Sequence, residues 1–282
     1  MAPWLEGRTI LRAERIDAPP GPKYASLELS VGQRIRTVER RGKFLLLPLE
    51  RLGAPIGEFR VDDLLVIHLG MTGVVSKRPP AAHERVRLTL DHGPDPTLHF
   101  RDVRRFGRFL VLPGGDPASL PTLASIGPEP FSDDFTAAGF RRACKASSVA
   151  IKTLLLSQRP VAGVGNIYAD EALWRVRIHP ATPASSLTRA HTDGLRVAIR
   201  EVLASATEAQ GTTLNDYRTV GGEVGAYLAQ LSVYGHAGDP CPRCGDEIER
   251  IVVGQRGSHL CPTCQPRRRP SPQRRGGVRS GR

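Results

Sequence analysis

Gly127-Pro-Glu-Pro130 marks the point at which the pattern of this 282-residue chain changes, and the change decides the predicted fold class. Before it, from about residue 8 to 115, short apolar or alternating runs are separated by Gly, Pro and Asp. Such runs predict the strands of a sandwich or barrel. After it, apolar residues recur with helical spacing, most clearly over residues 188–208. The sequence therefore predicts an α+β fold with a β-rich first half and a helical second half.

Individual elements can be predicted within each half. Strand-like runs begin at Phe44, Leu64, Arg85 and Arg108. The segment 48–63 is predicted to be a long loop between strands. In the second half, Ser132-Asp-Asp predicts a helix start, because these side chains accept hydrogen bonds from free backbone N–H groups. A helix is predicted over residues 148–156, and another is predicted to begin near Asn166.

Two C-x2-C pairs near the end of the chain form its most specific motif. They are Cys241-Pro-Arg-Cys244 and Cys261-Pro-Thr-Cys264, separated by 16 residues. Four thiolates satisfy a tetrahedral Zn²⁺ ion and leave no position open for substrate. Two disulfides are the alternative, which no secretory signal supports. The motif predicts a β-hairpin ribbon around one structural Zn²⁺, whereas the fifth cysteine, Cys144, is predicted to be a buried thiol on a helix.

The charge of the chain points to a polyanion. The formal net charge is +12 and the isoelectric point is near 10.1, which predicts a nucleic-acid partner, with solubility through net charge as the alternative. Residues 265–282 hold seven arginines and no acid. This tail is predicted to be disordered, and serves either as a nonspecific phosphate-binding arm or as a passive extension. With no long apolar run and no signal peptide, membrane and disulfide-dense secreted classes are excluded.

Seven motifs, taken together, resemble one protein family. They are Arg40-Arg-Gly-Lys-Phe, His68-Leu-Gly-Met-Thr-Gly, Asp102-Val-Arg-Arg-Phe-Gly, Val161-Ala-Gly-Val-Gly-Asn-Ile-Tyr-Ala-Asp-Glu, Gly211-Thr-Thr-Leu, Val233-Tyr-Gly and Gln255-Arg-Gly-Ser-His-Leu-Cys. Their order resembles that of the bacterial formamidopyrimidine-DNA glycosylases, over roughly residues 4–265. Long motifs in a fixed order make a chance match a poor explanation.

The resemblance implies a domain organisation and an activity. It implies an N-terminal β-sandwich over residues 1–118, a helix–two-turn–helix DNA-binding domain over 119–235, a zinc finger over 236–265 and a disordered basic tail over 266–282. The implied activity is base-excision repair: removal of 8-oxoguanine and formamidopyrimidines from duplex DNA, then cleavage of the abasic strand by β,δ-elimination. The expected partner is damaged double-stranded DNA. A monomer in the bacterial cytoplasm, associated with the nucleoid and not with membranes, is expected.

The resemblance assigns three residues to the gap left by an extruded base. Flipping a base out of the stack leaves a hole in the duplex. Met71 and Phe106 resemble the apolar residues that fill this hole, and Arg104 resembles the donor to the orphaned partner base. The alternative for Met71 and Phe106 is ordinary core packing.

Four further DNA contacts follow from the resemblance. Asn166 lies where a Gly-rich turn becomes a helix, and the free N–H groups there favour a phosphate. Lys152, one helix earlier, is expected to oppose the same strand. His83 resembles a family contact in a loop, and Ser147 occupies a contact position where a basic residue is common. The alternative for His83 and Ser147 is an ordinary solvated side chain.

The resemblance also assigns catalytic roles to two cations. Lys43 resembles the lysine credited with protonation during β-elimination, and Arg256 resembles the arginine that binds phosphates around the lesion and assists δ-elimination. Outside this motif, Lys43 would be an ordinary strand-edge lysine. The loop 215–227, rich in glycine, resembles the family's cover over the extruded base.

The start of the sequence departs from the family pattern. The family begins Met-Pro-Glu-Leu-Pro-Glu, and its N-terminal proline amine attacks the sugar C1′ carbon. Aligning Leu5-Glu-Gly-Arg-Thr-Ile with the family places Met1 about thirteen residues, or about 20 Å of helix, too late. Either the start codon is placed too far downstream, or the chain is a noncatalytic binder of damaged DNA. A third reading, an endonuclease VIII-like pyrimidine glycosylase, is disfavoured by Met71, Arg104 and Phe106.

Overall fold

A computed structural model describes residues 1–51, 63–209, 211 and 226–267. Eleven strands lie in these residues: β1 (Ile10–Arg15), β2 (Gln33–Ile35), β3 (Glu39–Arg41), β4 (Phe44–Arg51), β5 (Asp63–His68), β6 (Gly73–Ser76), β7 (Glu84–Leu90), β8 (Thr97–Asp102), β9 (Arg108–Pro113), β10 (Glu249–Val253) and β11 (Arg256–Leu260). The α-helices in the same part of the chain are α1 (Ala2–Leu5), α2 (Pro121–Ala124), α3 (Ala137–Lys145), α4 (Ile151–Leu156), α5 (Asn166–Arg175) and α6 (Arg189–Glu208).

Strands β1 to β9 form two antiparallel sheets packed face to face. One sheet has the order β1-β7-β8-β6, and the other has the order β2-β4-β5-β9 with β3 paired to β4. Buried side chains from both sheets meet between them, among them Leu65, Phe100 and Phe109. The outer face of β5 is covered as well, because Leu64 and Val66 pack with Leu123 of α2. Burial on both faces explains why β5 reads as a continuous apolar run rather than an alternating one.

The four strands predicted from apolar runs are present, and one predicted loop is wrong in part. Strand β4 continues through Pro48 to Arg51, where Pro48 pairs with Leu64. Proline removes a donor but keeps its carbonyl, and the Pro48 oxygen accepts a hydrogen bond from the Arg36 amide. The strand therefore passes through a residue that we predicted to lie in a loop. Residues 52–62 of that loop lie outside the described residues.

Helices form the second half, as predicted, with one start misplaced. Helix α6 covers the periodic segment 188–208, and helix α5 begins at Asn166. The prediction that Ser132 starts a helix is wrong. Helix α3 begins at Ala137, because the Thr136 hydroxyl accepts from the Gly139 amide. Helix α4 begins at Ile151, three residues later than predicted.

The zinc-motif region folds as the predicted hairpin. Strands β10 and β11 pair antiparallel through a two-residue turn at Gly254 and Gln255, both with positive φ, the conformation that a tight hairpin turn requires. The Cys144 thiol is buried on α3, as predicted. Within the described ranges, the structure holds no helix that is both long and apolar enough to span a membrane.

Candidate nucleic-acid interface and metal centre

The four cysteines of the two C-x2-C pairs converge on one point. Their Sγ atoms all lie within 4.8 Å of one another. The Cys241–Cys264 and Cys244–Cys261 sulfur pairs are 4.0 and 3.4 Å apart. A tetrahedron of thiolates around Zn²⁺ has sulfur–sulfur edges of about 3.8 Å, given Zn–S bonds near 2.3 Å. These separations are far longer than the S–S bond of a disulfide, about 2.05 Å. The donor set therefore fits one structural Zn²⁺ ion and not two disulfides.

The zinc hairpin is attached to helix α5 at several places. The Arg243 guanidinium lies 4.0 Å from the Trp174 ring and donates to the Trp174 carbonyl at 3.0 Å. The buried Glu171 carboxylate accepts hydrogen bonds from the Ser232, Val233 and Tyr234 amides in the segment that leads to the finger. These contacts fix β11, and with it Arg256, relative to α5.

Lys152 lies in the interior, between α4, α5 and β11. Its side chain is fully buried, and its Nζ lies 2.6 Å from the Asp170 carboxylate. The same ammonium group donates to the Gly257 carbonyl at 2.9 Å and to the Ser258 hydroxyl at 2.7 Å. With its ammonium group held by three protein acceptors, Lys152 lies inside the protein and not on the surface where we expected a DNA contact. It joins two helices to the zinc hairpin.

Asn166 is the first residue of α5 and also bonds to the hairpin. Its amide nitrogen donates to the Gly257 carbonyl at 3.0 Å, and its Oδ1 is buried without a hydrogen-bond partner. The preceding Gly165 offers no side chain to cap the helix. One hydrogen of the Asn166 side-chain amide is therefore used by β11, while the N-terminal turn of α5 has no side-chain cap.

Lys43 lies in the turn between β3 and β4, close to the start of α5. Its Nζ donates to the Val164 carbonyl at 3.2 Å, and a Cβ on Gly165 would lie only 3.2 Å from that nitrogen. The side chain remains exposed, yet protein atoms crowd its charged end. This desolvation, followed by the positive charge of Arg256, lowers the pKa of Lys43 to about 8. The structure thus places an accessible lysine, whose pKa of about 8 is close to physiological pH, beside Arg256 and Gly165.

His68 is a site residue that sequence reasoning did not assign. It ends strand β5, its ring packs 4.6 Å from Phe44, and its Nδ1 accepts from the Gly70 amide at 3.2 Å. Burial, followed by the charges of Lys43 and Arg108, lowers the pKa of His68 to about 4. The imidazole is therefore neutral at physiological pH. Its position between a buried apolar strand and the Met71 loop was the available signal.

Met71, Arg104 and Phe106, here called the wedge group, lie together on two neighbouring loops. Met71 and Phe106 are 51% and 52% exposed, which excludes the core-packing alternative. The Arg104 guanidinium lies 5.5 Å from the Phe106 ring. Large apolar side chains left in solvent beside a cation fit a surface that enters the base stack.

Of the two remaining predicted DNA contacts, His83 lies near the wedge group and Ser147 lies apart from it. The His83 carbonyl accepts from the Asp102 amide, and its ring lies 3.5 Å from the Arg85 guanidinium. Ser147 lies beyond the end of α3, where its backbone contacts Cys144 and Ser185. These contacts do not join it to Lys43 or to the wedge group. In the predicted loop 215–227, residues 215–225 lie outside the described residues.

Fold and site together define a class of protein: a β-sandwich whose loops carry the exposed wedge group, a helical lobe, and a four-cysteine finger that carries Arg256. Family models match the chain in three places. Residues 1–109 match the formamidopyrimidine-DNA glycosylase N-terminal domain, 126–218 the H2TH domain of the same enzymes, and 238–267 the zinc finger found in FPG and IleRS. The chain belongs to the formamidopyrimidine-DNA glycosylase family.

Individual relatives and solved structures agree with this assignment. The chain is 47% identical over 271 residues to the formamidopyrimidine-DNA glycosylase of Deinococcus radiodurans, covering 94% of this chain and 93% of the relative. The crystal structure of the MutM (Fpg) protein of Thermus thermophilus has a TM-score of 0.83 at 46% identity, covering 93% of each chain. A Lactococcus lactis Fpg complex with abasic-site DNA has a TM-score of 0.78 at 32% identity, covering 93% and 94%. The predicted family, α+β fold class and structural Zn²⁺ are confirmed.

Proposed function

We propose that this chain is a base-excision repair DNA glycosylase and AP lyase. It removes oxidised purines, 8-oxoguanine and formamidopyrimidines, from duplex DNA and cleaves the abasic strand by β,δ-elimination. The names of its relatives support this activity, as do Fpg structures solved with abasic-site DNA and with Fapy-dG DNA. One observation carries the proposal: the protein combines an accessible lysine, whose pKa the charge of Arg256 helps to lower to about 8, with the exposed apolar side chains of Met71 and Phe106.

The wedge group supplies the first step, which is access to the base. When a nucleotide leaves the stack, Met71 and Phe106 fill the space with apolar surface that is already exposed. Arg104 carries donors that pair with the base left without a partner. The neighbouring His83 contacts the same duplex in this proposal.

Lys43 supplies a proton in the elimination chemistry. A general acid works best when its pKa lies near the working pH, and about 8 satisfies that condition. Arg256 holds the phosphates beside the lesion, as a guanidinium fork fixed on a rigid hairpin can do. The N-terminal turn of α5, at Asn166, offers backbone N–H groups to the same strand. Lys152 takes no direct part and acts by holding β11 in place.

The nucleophile in the resembled mechanism is the amine of an N-terminal proline, which forms a Schiff base with C1′. The residues above bind the duplex and handle protons around that reaction. Binding and excision can therefore be tested separately, because recognition of a gap in DNA needs the wedge group but not the amine.

The first test measures recognition. The zinc-loaded chain is titrated with two duplexes that differ at one position, a tetrahydrofuran abasic-site analogue against an ordinary nucleotide. We expect tighter binding to the abasic duplex, and equal affinity for the two would overturn the proposed function.

The second test measures chemistry. The chain is joined to a family-type Pro-Glu N-terminal segment and incubated with 8-oxoguanine duplex and borohydride, which traps a Schiff base as a covalent adduct. Wild type should be trapped, and a variant with alanine in place of that proline should not. Absence of an adduct, together with selective binding, identifies a noncatalytic damaged-DNA binder. Faster excision of thymine glycol than of 8-oxoguanine identifies the endonuclease VIII-like alternative.

The chain is also proposed to act as a monomer on chromosomal DNA in the bacterial cytoplasm. A single copy of this chain already contains the cysteine cluster and the wedge group, which supports action as a monomer. Sedimentation of the zinc-loaded protein with and without the abasic duplex tests this, with one protein per duplex as the expected stoichiometry.

A further inference from the structure

The wedge group stands on two loops that touch at a pair of glycines. Residues 69–72 connect β5 to β6 and carry Met71, whereas residues 103–107 connect β8 to β9 and carry Arg104 and Phe106. A Cβ on Gly70 would lie 2.6 Å from the Gly107 amide nitrogen. No side chain larger than hydrogen fits there, so the two loops are packed backbone against backbone.

One buried carboxylate ties the two loops together. Asp102 is fully buried; its Oδ1 accepts from the Thr72 hydroxyl at 2.6 Å and its Oδ2 accepts from the Gly107 amide at 2.7 Å. The Thr72 hydroxyl in turn accepts from the Arg104 amide at 3.1 Å. Each wedge residue is therefore at, or next to, a residue in this chain of hydrogen bonds.

In the series of hydrogen bonds from Arg104 through Thr72 to Asp102, each group can act in only one way, as donor or as acceptor, at each contact. A carboxylate only accepts, so the Thr72 proton points to Asp102 and a hydroxyl lone pair is left for the Arg104 amide. Burying a charge is costly unless its hydrogen bonds are satisfied. Here both carboxylate oxygens are satisfied by the two loops that carry the wedge group.

Besides the hydrogen bonds of Asp102 and Thr72, an interaction with Lys23 holds the loop 103–107 from its outer side. Arg105 has a φ of +55°, a left-handed conformation that is uncommon for a residue with a side chain. The Lys23 ammonium donates to the Arg105 carbonyl at 2.5 Å and lies 5.9 Å from the Phe106 ring. The segment before β2 thus supports the Arg104–Phe106 loop from the solvent side.

We propose that Thr72 and Asp102 are positioning residues that hold the wedge group in one arrangement before DNA binds, with Lys23 as a weaker outer tether. Preorganisation lowers the cost of ordering side chains at an interface. The arrangement therefore sets how strongly the protein prefers DNA with a gap over intact DNA. The role in gap recognition rests on the proposed function, whereas the tether itself is a property of the free protein.

The experiment compares two substitutions at one position. Thr72→Ser keeps the hydroxyl, and Thr72→Val keeps the shape but removes it. For Thr72→Val, which removes both hydrogen bonds of that hydroxyl, we expect the affinity ratio between the abasic-analogue duplex and the intact duplex to fall roughly five- to tenfold. Affinity for the intact duplex should stay unchanged, because phosphate contacts dominate it. Thr72→Ser should behave as wild type.

Hydrogen exchange of the Arg104 and Gly107 amides in the free protein provides a readout that needs no DNA. Thr72→Val should speed their exchange, whereas amides of β10 and β11 should not change. If Thr72→Val does not fold, Lys23→Met tests the outer tether from an exposed position, with an expected two- to threefold loss in the affinity ratio from a weaker contact. The inference is overturned if the variant exchanges its Arg104 and Gly107 amides as slowly as wild type. It is also overturned if wild type prefers the abasic duplex and the variant keeps the same affinity ratio. A wild type without discrimination instead overturns the proposed function.

Discussion

Two lysines flank the zinc hairpin, and their surroundings differ in a way that separates structure from chemistry. Lys152 is fully buried against the Asp170 carboxylate and two acceptors of β11. Lys43 is exposed along its side chain, donates to one carbonyl and faces the positive charge of Arg256. Burial lowers the pKa of Lys152, Asp170 opposes that shift, and the charge of Arg256 makes a smaller contribution downward. Among the described residues, Lys43 has no carboxylate to oppose the lowering of its pKa by burial and by Arg256.

The sign of the neighbouring charge therefore decides what a desolvated lysine can do. A carboxylate at 2.6 Å converts an ammonium group into a fixed cross-link. A guanidinium nearby makes the lysine ammonium group lose its proton more easily, and leaves that proton available for transfer to a substrate. The following experiments test that contrast, beginning with the largest expected effect.

Removing zinc should abolish the difference between the surroundings of Lys152 and Lys43. Structural zinc sites contribute about 10–16 kcal/mol of binding free energy to folding, so chelation should release β10 and β11. Gly257, Ser258 and Arg256 all lie on this hairpin, and both lysines would lose a neighbour. We expect Lys152 to become reactive to reductive methylation, measured by mass spectrometry. Lys145 on α3 is the control and should not change; continued protection of Lys152 without metal would contradict the prediction.

Breaking the buried ion pair comes next. Asp170→Asn leaves the Lys152 ammonium buried without a counter-charge, which should lower the free energy of unfolding by about 3–5 kcal/mol. Urea unfolding followed by circular dichroism measures the change. Arg189→Met breaks a solvent-exposed pair with Asp193 on α6 and serves as the matched control. It should cost less than about 1 kcal/mol, and similar losses in both variants would remove the distinction.

Strand cleavage should depend on the protonation of Lys43. With a pKa of about 8, the acid form is complete below that pH and is lost above it. The rate should therefore fall about tenfold per pH unit on the alkaline side. In Lys43→Arg the guanidinium stays protonated, so this alkaline limb should disappear even if the maximal rate drops. Single-turnover rates on a preformed abasic duplex, using the chain with the Pro-Glu segment, provide the measurement; an unchanged limb in Lys43→Arg would assign it to another group.

The smallest expected effect concerns the charge of Arg256. Arg256→Met should raise the pKa of Lys43 above about 8, because a like charge is removed. Arg250→Met removes the same charge from β10 of the same hairpin and should leave the pKa where it is. The pH dependence of Lys43 methylation reports the midpoint in both variants. Equal shifts would show that overall charge, and not the position of Arg256, sets the value.

Much of the fold was predictable because its patterns are local. The apolar run at Leu64, the periodic face of α6 and the paired cysteines each follow from neighbours in sequence. The helix start at Ser132 was wrong because Thr136, four residues later, is an equally good cap and the packing of α3 selects between them. The prediction that the loop begins at Pro48 was wrong because a strand tolerates a proline whose carbonyl still accepts a hydrogen bond.

The site was predictable in composition and less so in roles. Residue types and motifs predicted Lys43, Arg256 and the wedge group as site residues, and their roles stay predictions. The burial of Lys152 could not be foreseen, because its partner Asp170 lies on another helix and meets it only after α4 and α5 pack. His68 was missed for a related reason: its charge state depends first on its burial in the fold and then on Lys43, which lies next to Phe44, the residue paired with His68 across β4 and β5.

The stacking of Arg243 on Trp174 gives the protein an optical sensor of its own metal site. The sequence has two tryptophans, and the other, Trp4, lies in the sandwich beneath Lys77. Trp174 packs against the cysteine cluster, so its emission changes when the finger leaves α5. Replacing Trp4 by phenylalanine would make intrinsic fluorescence a label-free record of finger docking during DNA binding.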